Sequence, residues 1–143
     1  MVKKIIYRLL IVIIIIFFGM YIVDFCKPII ENLTTVDPKI QQLKDHLNDL
    51  HYGIKDLNIY KGNKSYTINK KKIYICLKDK NNTYYPDNHL VYVLLHEFAH
   101  CLNNEIGHTP KFYKIFHNLL EEAHDRNLYD KNIPPIENYC GHD

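Results

Sequence analysis

The chain begins with a long apolar run and then changes to a mixed pattern of polar and apolar residues. Only Arg8 is charged between residues 5 and 23. Because a helix that spans a bilayer needs about 20 apolar residues, this pattern predicts a transmembrane anchor over residues 1–23 with a basic N-terminal flank. Residues 24–36 are then expected to form a short stalk, and residues 37–143 a folded domain.

Two alternatives to an anchor are a cleaved signal peptide and a buried helix of a soluble core. A signal peptide needs small residues at its cleavage site, and the chain has no alanine before Ala99. Lys3, Lys4 and Arg8 lie on the N-terminal flank of the apolar run, so the positive-inside rule places the N-terminus in the cytosol and the domain on the far side. The sequence therefore predicts a single-pass membrane protein.

The predicted domain opens with a helix and continues with short strands. Asp37 is a suitable N-cap and Pro38 a suitable first helical residue. Apolar residues at helical spacing then continue to about His51. Three stretches with β-type patterns follow: residues 54–60, 65–69 and 72–77. We expect them to form a small antiparallel sheet.

Two more helices complete the predicted domain. Residues 89–103 are apolar on nearly every side, which is typical of a buried helix, and Asp87 or Asn88 can cap it. Thr109 and Pro110 repeat the cap-then-proline signature before an amphipathic pattern. The predicted fold class is α+β, with a helix, a short antiparallel sheet and two helices.

The charge pattern gives no indication of a nucleic-acid surface. The chain has 18 basic and 16 acidic residues, and three of the basic residues precede the apolar run, so the domain is near neutral. Residues 70–72 form its only basic run. No nucleic acid is therefore expected as a partner.

The four cysteines contain no C-x-x-C pair, which argues against a second, structural zinc site. They are Cys26, Cys76, Cys101 and Cys140. We expect free thiols, although an oxidising compartment would permit disulfides.

The predicted buried helix contains the sequence HEFAH. Residues four apart share one face of a helix, so His96 and His100 can point at the same metal ion. Glu97 lies about 100° around the helix from His96, where it can take a proton from a metal-bound water. A catalytic zinc has three protein ligands and one open position. The motif thus predicts a Zn2+ site with Glu97 as general base.

Three arrangements compete for the third ligand. The metzincin pattern needs glycine and histidine where this chain has Asn103 and Ile106, so it fails. Glu121 and Glu122 lie near the distance of a gluzincin glutamate. His108 is favoured, because a glycine before it permits a sharp turn and a Thr-Pro helix start after it would hold it rigidly.

The stretch from HEFAH to GHTPKF resembles the WLM family of zinc metallopeptidases, which is related to the SprT-like proteases. The family pattern is HExxH, a short loop and then His-x-Pro-x-Phe, matched here by His96, Glu97, His100, His108, Pro110 and Phe112. The tail IPPIENYCG is similar to the ends of such proteins from large DNA viruses. The resemblance implies a zincin-like fold, with His96, His100 and His108 as zinc ligands and Glu97 as the base.

The resemblance also implies a protein or peptide substrate, bound by strand addition to an edge strand predicted at residues 73–77. Tyr92 and Tyr139 are candidate oxyanion donors. The predicted function is a membrane-anchored, zinc-dependent endopeptidase that hydrolyses peptide bonds with a zinc-bound water, in a virion or host-cell membrane. Alternatives are a zinc-stabilised protein without turnover and a protease of DNA–protein crosslinks. The oligomeric state is left open.

Overall fold

The computed structural model describes residues 8, 11–23, 25 and 37–141. The chain separates into two compact units, Met1–Thr35 and Val36–Asp143, and each is considered by itself. In the first unit, residues 11–23 form a continuous helical run whose side chains are exposed.

The predicted membrane anchor is not supported by this first unit. Among the described residues, no helix has both the length and the apolar character that crossing a membrane requires. The predictions of a transmembrane helix over residues 5–23 and of a single-pass membrane protein are therefore wrong. Lys3, Lys4 and all of the predicted stalk except residue 25 lie outside the described residues.

The second unit combines three α-helices with one small sheet. The helices are α1 (Pro38–His46), α2 (Asp87–Leu102) and α3 (Pro110–Asp125), and the strands are β1 (Asn58–Lys61), β2 (Tyr66–Ile68) and β3 (Lys72–Ile75). This agrees with the predicted α+β composition of the domain. The central helix is α2, which contacts α1, β2, β3 and α3.

The sheet is mixed rather than antiparallel, because its strand order is β1-β3-β2. Strands β2 and β3 form an antiparallel pair, and the other side of β3 pairs with β1 in parallel. The central strand is therefore β3, and the prediction that it is the edge strand is wrong. Its alternation was predicted correctly, since Ile73 and Ile75 are fully buried.

Helix α1 begins as predicted but ends early. The Asp37 side chain accepts a hydrogen bond from the backbone N–H two residues later. The helix ends at His46 and not near residue 51. Leu47 and Leu50 are still buried, but the backbone there tightens into a turn in which the Leu50 N–H donates to the Leu47 carbonyl. The apolar spacing therefore continued beyond the helix itself.

The start of α2 also differs from the prediction. Pro86 occupies the N-cap position and makes no side-chain cap hydrogen bond, so Asp87 and Asn88 lie inside the first turn. Asn88 instead exchanges two hydrogen bonds with the backbone of Asp130, which fixes the segment after α3 against this end of α2.

A disulfide joins Cys76, just after β3, to Cys140 near the C-terminus. The expectation of free thiols is wrong for this pair and correct for Cys101, whereas Cys26 lies outside the described residues. The disulfide fixes the C-terminal segment to the end of the sheet.

We predict that Cys140→Ser lowers the free energy of unfolding by about 2–4 kcal/mol, because a crosslink that closes a long loop restricts the unfolded chain. The two cysteines are 64 positions apart. Urea denaturation under non-reducing conditions measures the change. Cys101→Ser is the matched control and should cost much less. Equal denaturation midpoints for the two variants would contradict the prediction.

Candidate metal centre

Three imidazole rings meet at one point between α2 and the start of α3. The Nε2 atom of His108 lies 3.0 Å from that of His96 and 3.1 Å from that of His100. One ring nitrogen from each of the three residues lies within 4.8 Å of the other two. The structure therefore brings together the three residues that were predicted as ligands.

The loop between α2 and α3 carries His108 back toward the HEFAH helix. Gly107 has φ of 82°, a left-handed conformation that glycine adopts without steric cost. Immediately afterwards, the Thr109 hydroxyl accepts a hydrogen bond from the Phe112 N–H and so caps α3. At the other end of the loop, the Lys70 ammonium donates to the Asn103 carbonyl at 2.6 Å. The loop is thus held at both ends.

The buried ring of Phe112 contacts all three histidines. Its centroid lies 5.0 Å from that of His96, 4.3 Å from that of His100 and 4.7 Å from that of His108. Phe112 is completely buried in the first turn of α3. Its packing therefore limits the orientations that the three imidazoles can adopt.

The donor set of the cluster fits a transition-metal ion such as zinc. Zinc binds histidine nitrogen at about 2.0–2.1 Å in tetrahedral geometry, which separates neighbouring donors by about 3.3 Å. The two distances from His108 to the other histidines, 3.0 and 3.1 Å, are close to that value. Burial, together with the charges of His100 and His108, lowers the pKa of His96 to about 4, and burial also lowers the pKa of His100. Both rings are therefore neutral near pH 7, as metal ligation requires.

The two alternative glutamates do not join this cluster. Glu121 accepts a hydrogen bond from Lys131 at 2.7 Å, and Glu122 accepts one from Arg126 at 2.6 Å. Each carboxylate therefore has a cationic partner in the segment that follows α3.

Glu97 lies beside the histidines and is almost completely buried, with 6% of its surface exposed. The Thr67 hydroxyl lies 2.8 Å from its Oε2 atom and 3.0 Å from its backbone carbonyl oxygen, so its single proton is shared between two acceptors. Burial raises the pKa of Glu97 to about 7, while the hydrogen bond from Thr67 opposes that rise. A carboxyl group with such a pKa can both accept and release a proton near neutral pH.

Thr67 was not identified from the sequence. It lies on β2 opposite Ile73, which in turn pairs with Ile59 on β1. The two isoleucines are buried on the inner face of the sheet. Thr67 is the third residue of this row, and it is polar where the other two are apolar. A hydroxyl at an inward position was the available signal, but it could be recognised only with the strand register known.

A cleft of about 800 Å³ extends from the metal centre along β2. Both candidate oxyanion donors, Tyr92 and Tyr139, line it. The Tyr139 hydroxyl donates to the Cys76 carbonyl and lies 2.9 Å from the Ser65 hydroxyl. The only proton of the Tyr139 hydroxyl is therefore already donated to this carbonyl. Tyr92 belongs to α2 itself and lines the same cleft.

Comparison with known proteins identifies viral relatives. No family model matches the chain, and no solved structure matches it. The uncharacterized protein 136R of Invertebrate iridescent virus 6 is 48% identical over 88 residues, which cover 59% of this chain and 49% of the relative. The uncharacterized protein 042R of Invertebrate iridescent virus 3 is 44% identical over 95 residues, covering 66% of this chain and 59% of the relative.

A third relative is the uncharacterized protein R325 of Acanthamoeba polyphaga mimivirus, 35% identical over 113 residues, which cover 72% of this chain and 57% of the relative. The chain thus spans about half the length of the curated relatives it matches. It is related to viral proteins, as its C-terminal tail indicated. The names of these relatives give no activity, so the resemblance to the WLM family and the zincin-like fold remain predictions.

We predict that His108→Ala weakens zinc binding more than about 100-fold, because loss of a direct ligand exceeds the 10–100-fold effect of losing an outer-shell contact. Isothermal titration with zinc at pH 7 measures the affinity. Glu121→Ala should change it less than about twofold, since this carboxylate is paired with Lys131. The reverse order of the two variants would assign the third ligand to the glutamate.

We predict that Phe112→Ala lowers both the stability and the zinc affinity of the protein. Removing a buried phenylalanine costs about 3–5 kcal/mol, and the three imidazoles lose a shared packing partner. Phe116→Ala is the matched control, because Phe116 is also buried but contacts only His96 among the three ligands.

Thermal denaturation and zinc titration of both variants, at a temperature where both are folded, separate the two effects. The two variants should lose similar amounts of stability. The loss of zinc affinity should be at least about fivefold larger for Phe112→Ala, which corresponds to about 1 kcal/mol of binding free energy. Equal zinc affinities would contradict the role assigned to the Phe112 ring.

Proposed function

We propose that this chain is a zinc-dependent endopeptidase of the WLM type. The observation that supports the proposal best is the combination of a three-histidine cluster with a buried carboxyl group beside it, both opening into one cleft. A purely structural zinc site has four protein ligands and does not need a base at its side. Three ligands and Glu97 therefore favour hydrolysis.

In this proposal each polar group has a separate task. His96, His100 and His108 hold the zinc ion. A bound zinc supplies Lewis acidity, which polarises the scissile carbonyl and lowers the pKa of water. Glu97 accepts a proton from the attacking water and returns it to the leaving amine. Its burial supports that task, because a carboxyl group with a pKa of about 7 is readily protonated and deprotonated near neutral pH.

Thr67 orients the base in this proposal. Its hydroxyl is within hydrogen-bonding distance of the Glu97 carboxylate and of the Glu97 backbone carbonyl. Thr67 on β2 therefore holds the Glu97 side chain in a fixed position relative to α2. A base acts only when it lies within hydrogen-bond reach of the proton it abstracts, and the Thr67 contact restricts the rotation that would remove it from that position.

The substrate in this proposal is an extended protein or peptide segment that adds to the edge of β2. Within the described residues, β2 pairs with a strand on one side only, and Ser65, Tyr66 and Thr67 line the cleft. Strand addition provides main-chain hydrogen bonds without regard to side chains. This edge replaces β3, which the sequence had indicated and which lies at the centre of the sheet.

We predict that Glu97→Gln retains zinc but loses peptide cleavage by about 10²–10⁴-fold, the usual contribution of a general acid–base group. The measurement is the cleavage rate of an unfolded protein substrate by zinc-loaded protein, with zinc content determined on the same samples. Glu122→Gln is the matched control and should retain activity, because the Glu122 side chain is half-exposed and paired with Arg126.

Two results would contradict the proposal. Equal cleavage by wild-type and Glu97→Gln protein would mean that the activity does not use this base. A protein that binds zinc tightly through the three histidines and cleaves nothing would instead be the zinc-stabilised protein without turnover.

A further inference from the structure

The outer face of the sheet carries a row of three stacked tyrosines. Tyr74 on β3 pairs in register with Tyr60 on β1 and with Tyr66 on β2. The ring centroids are 5.2 Å apart for Tyr60 and Tyr74 and 4.8 Å apart for Tyr66 and Tyr74, with interplanar angles of 27° and 13°. The row therefore crosses the whole sheet and ends at the edge that borders the cleft.

Tyr66 is the terminal ring of this row. Tyr74 covers one of its sides, and 43% of the residue remains exposed. Tyr66 also lines the cleft that contains the histidines. Two positions further along β2, Ile68 projects on the same face and is 39% exposed. An apolar strip on the outer face thus borders the free edge of β2.

An extended chain that pairs with β2 would continue this row. Alternate side chains of a strand project to opposite faces, so one residue of the added segment would lie beside Tyr66 on the outer face. Directly opposite residues of paired strands bring their Cβ atoms to about 4.5–5.5 Å. An aromatic side chain at that position would become the fourth member of the stack.

We propose that Tyr66 is a specificity-determining residue, which selects substrate segments with an aromatic side chain at the position beside it on the outer face of the sheet. The inference rests on the proposed function, because it takes the occupant of the cleft to be an extended peptide. It adds a substrate class, namely segments in which an aromatic residue lies at a fixed distance from the cleaved bond.

The opposite loop supports an apolar occupant. Ile106, between α2 and α3, is 93% exposed and lines the same cleft. Ile106 and Tyr66 thus both expose apolar surface to the same cleft. Tyr66 provides the stacking geometry, which Ile106 cannot provide, so the aromatic preference is assigned to Tyr66.

The test measures how cleavage and binding depend on the position of a single phenylalanine. Fragments of an unfolded protein that the zinc-loaded Glu97→Gln variant retains are identified by mass spectrometry and give one bound segment. Short peptides of this segment then carry phenylalanine or alanine at each position in turn. Their kcat/KM is measured with wild type, and their Kd by fluorescence anisotropy with the zinc-loaded Glu97→Gln variant.

Four variants complete the design, one of which, Ile106→Ala, removes the exposed apolar side chain of the loop between α2 and α3. Tyr66→Thr removes the ring but keeps a residue that favours strands, and Tyr66→Phe keeps the ring. Tyr52→Ala is the matched control, because Tyr52 is 84% exposed but does not line the cleft.

We expect phenylalanine to improve binding by about threefold to tenfold at one position, as cross-strand aromatic pairs do, with a weaker effect two positions away beside Ile68 and none between. Tyr66→Thr should abolish the main preference, whereas Tyr66→Phe and Tyr52→Ala should keep it. A preference that is absent, that survives in Tyr66→Thr, or that disappears only in Ile106→Ala would overturn the inference, as would a failure of every peptide to bind.

Failure of the proposed function gives a different result. If Glu97→Gln protein binds the peptides with the expected preference but wild type cleaves none of them, the aromatic subsite stands and the peptidase does not. If wild type cleaves peptides without regard to the aromatic position, the peptidase stands and the subsite does not.

Discussion

The contact of one phenylalanine ring with three imidazoles is the interaction on which the candidate site depends. Phe112 is inaccessible to solvent and touches His96, His100 and His108. Two of those histidines belong to α2 and the third to the loop before α3, so the ring connects the two helices where the metal would bind. The Thr109 cap holds the N–H of Phe112 itself, and the geometry of this helix start therefore determines the geometry of the ligands.

The sheet contributes to the site through a single strand of three residues. Thr67 reaches inward from β2 to the Glu97 carboxylate, while its neighbours on either side project outward. Burial of Glu97 raises its pKa, and the hydrogen bond from Thr67 lowers it, with the outcome near 7. Without the Thr67 hydroxyl, the Glu97 carboxyl group would be equally buried but would lose the hydrogen bond that lowers its pKa. The strand therefore affects the pKa of this carboxyl group as well as its position.

The sequence predicted several features that depend on neighbouring residues, and missed several that depend on distant ones. The Asp37 and Thr109 caps and the left-handed glycine before His108 follow from local chemistry, and the structure has all three. The position of β3 at the centre of the sheet and the disulfide of Cys76, whose partner is 64 positions away, depend on the tertiary fold. The predicted anchor is contradicted as well, because no helix among the described residues is long and apolar enough to cross a membrane. Thr67 was missed because its importance depends on the register with β3.

The alternation of side chains along β2 separates the two tasks that this strand has in the proposed enzyme. Thr67 faces α2 and the base, whereas Tyr66 faces outward toward the position of a substrate side chain. A shift of the β2–β3 register by one residue would exchange these faces, so it would remove the hydroxyl from Glu97 and the ring from the end of the stack together. The stacking of Tyr66 on Tyr74 opposes such a shift, because cross-strand aromatic pairs favour one register. Catalytic geometry and substrate selection would therefore depend on the same pairing of two short strands.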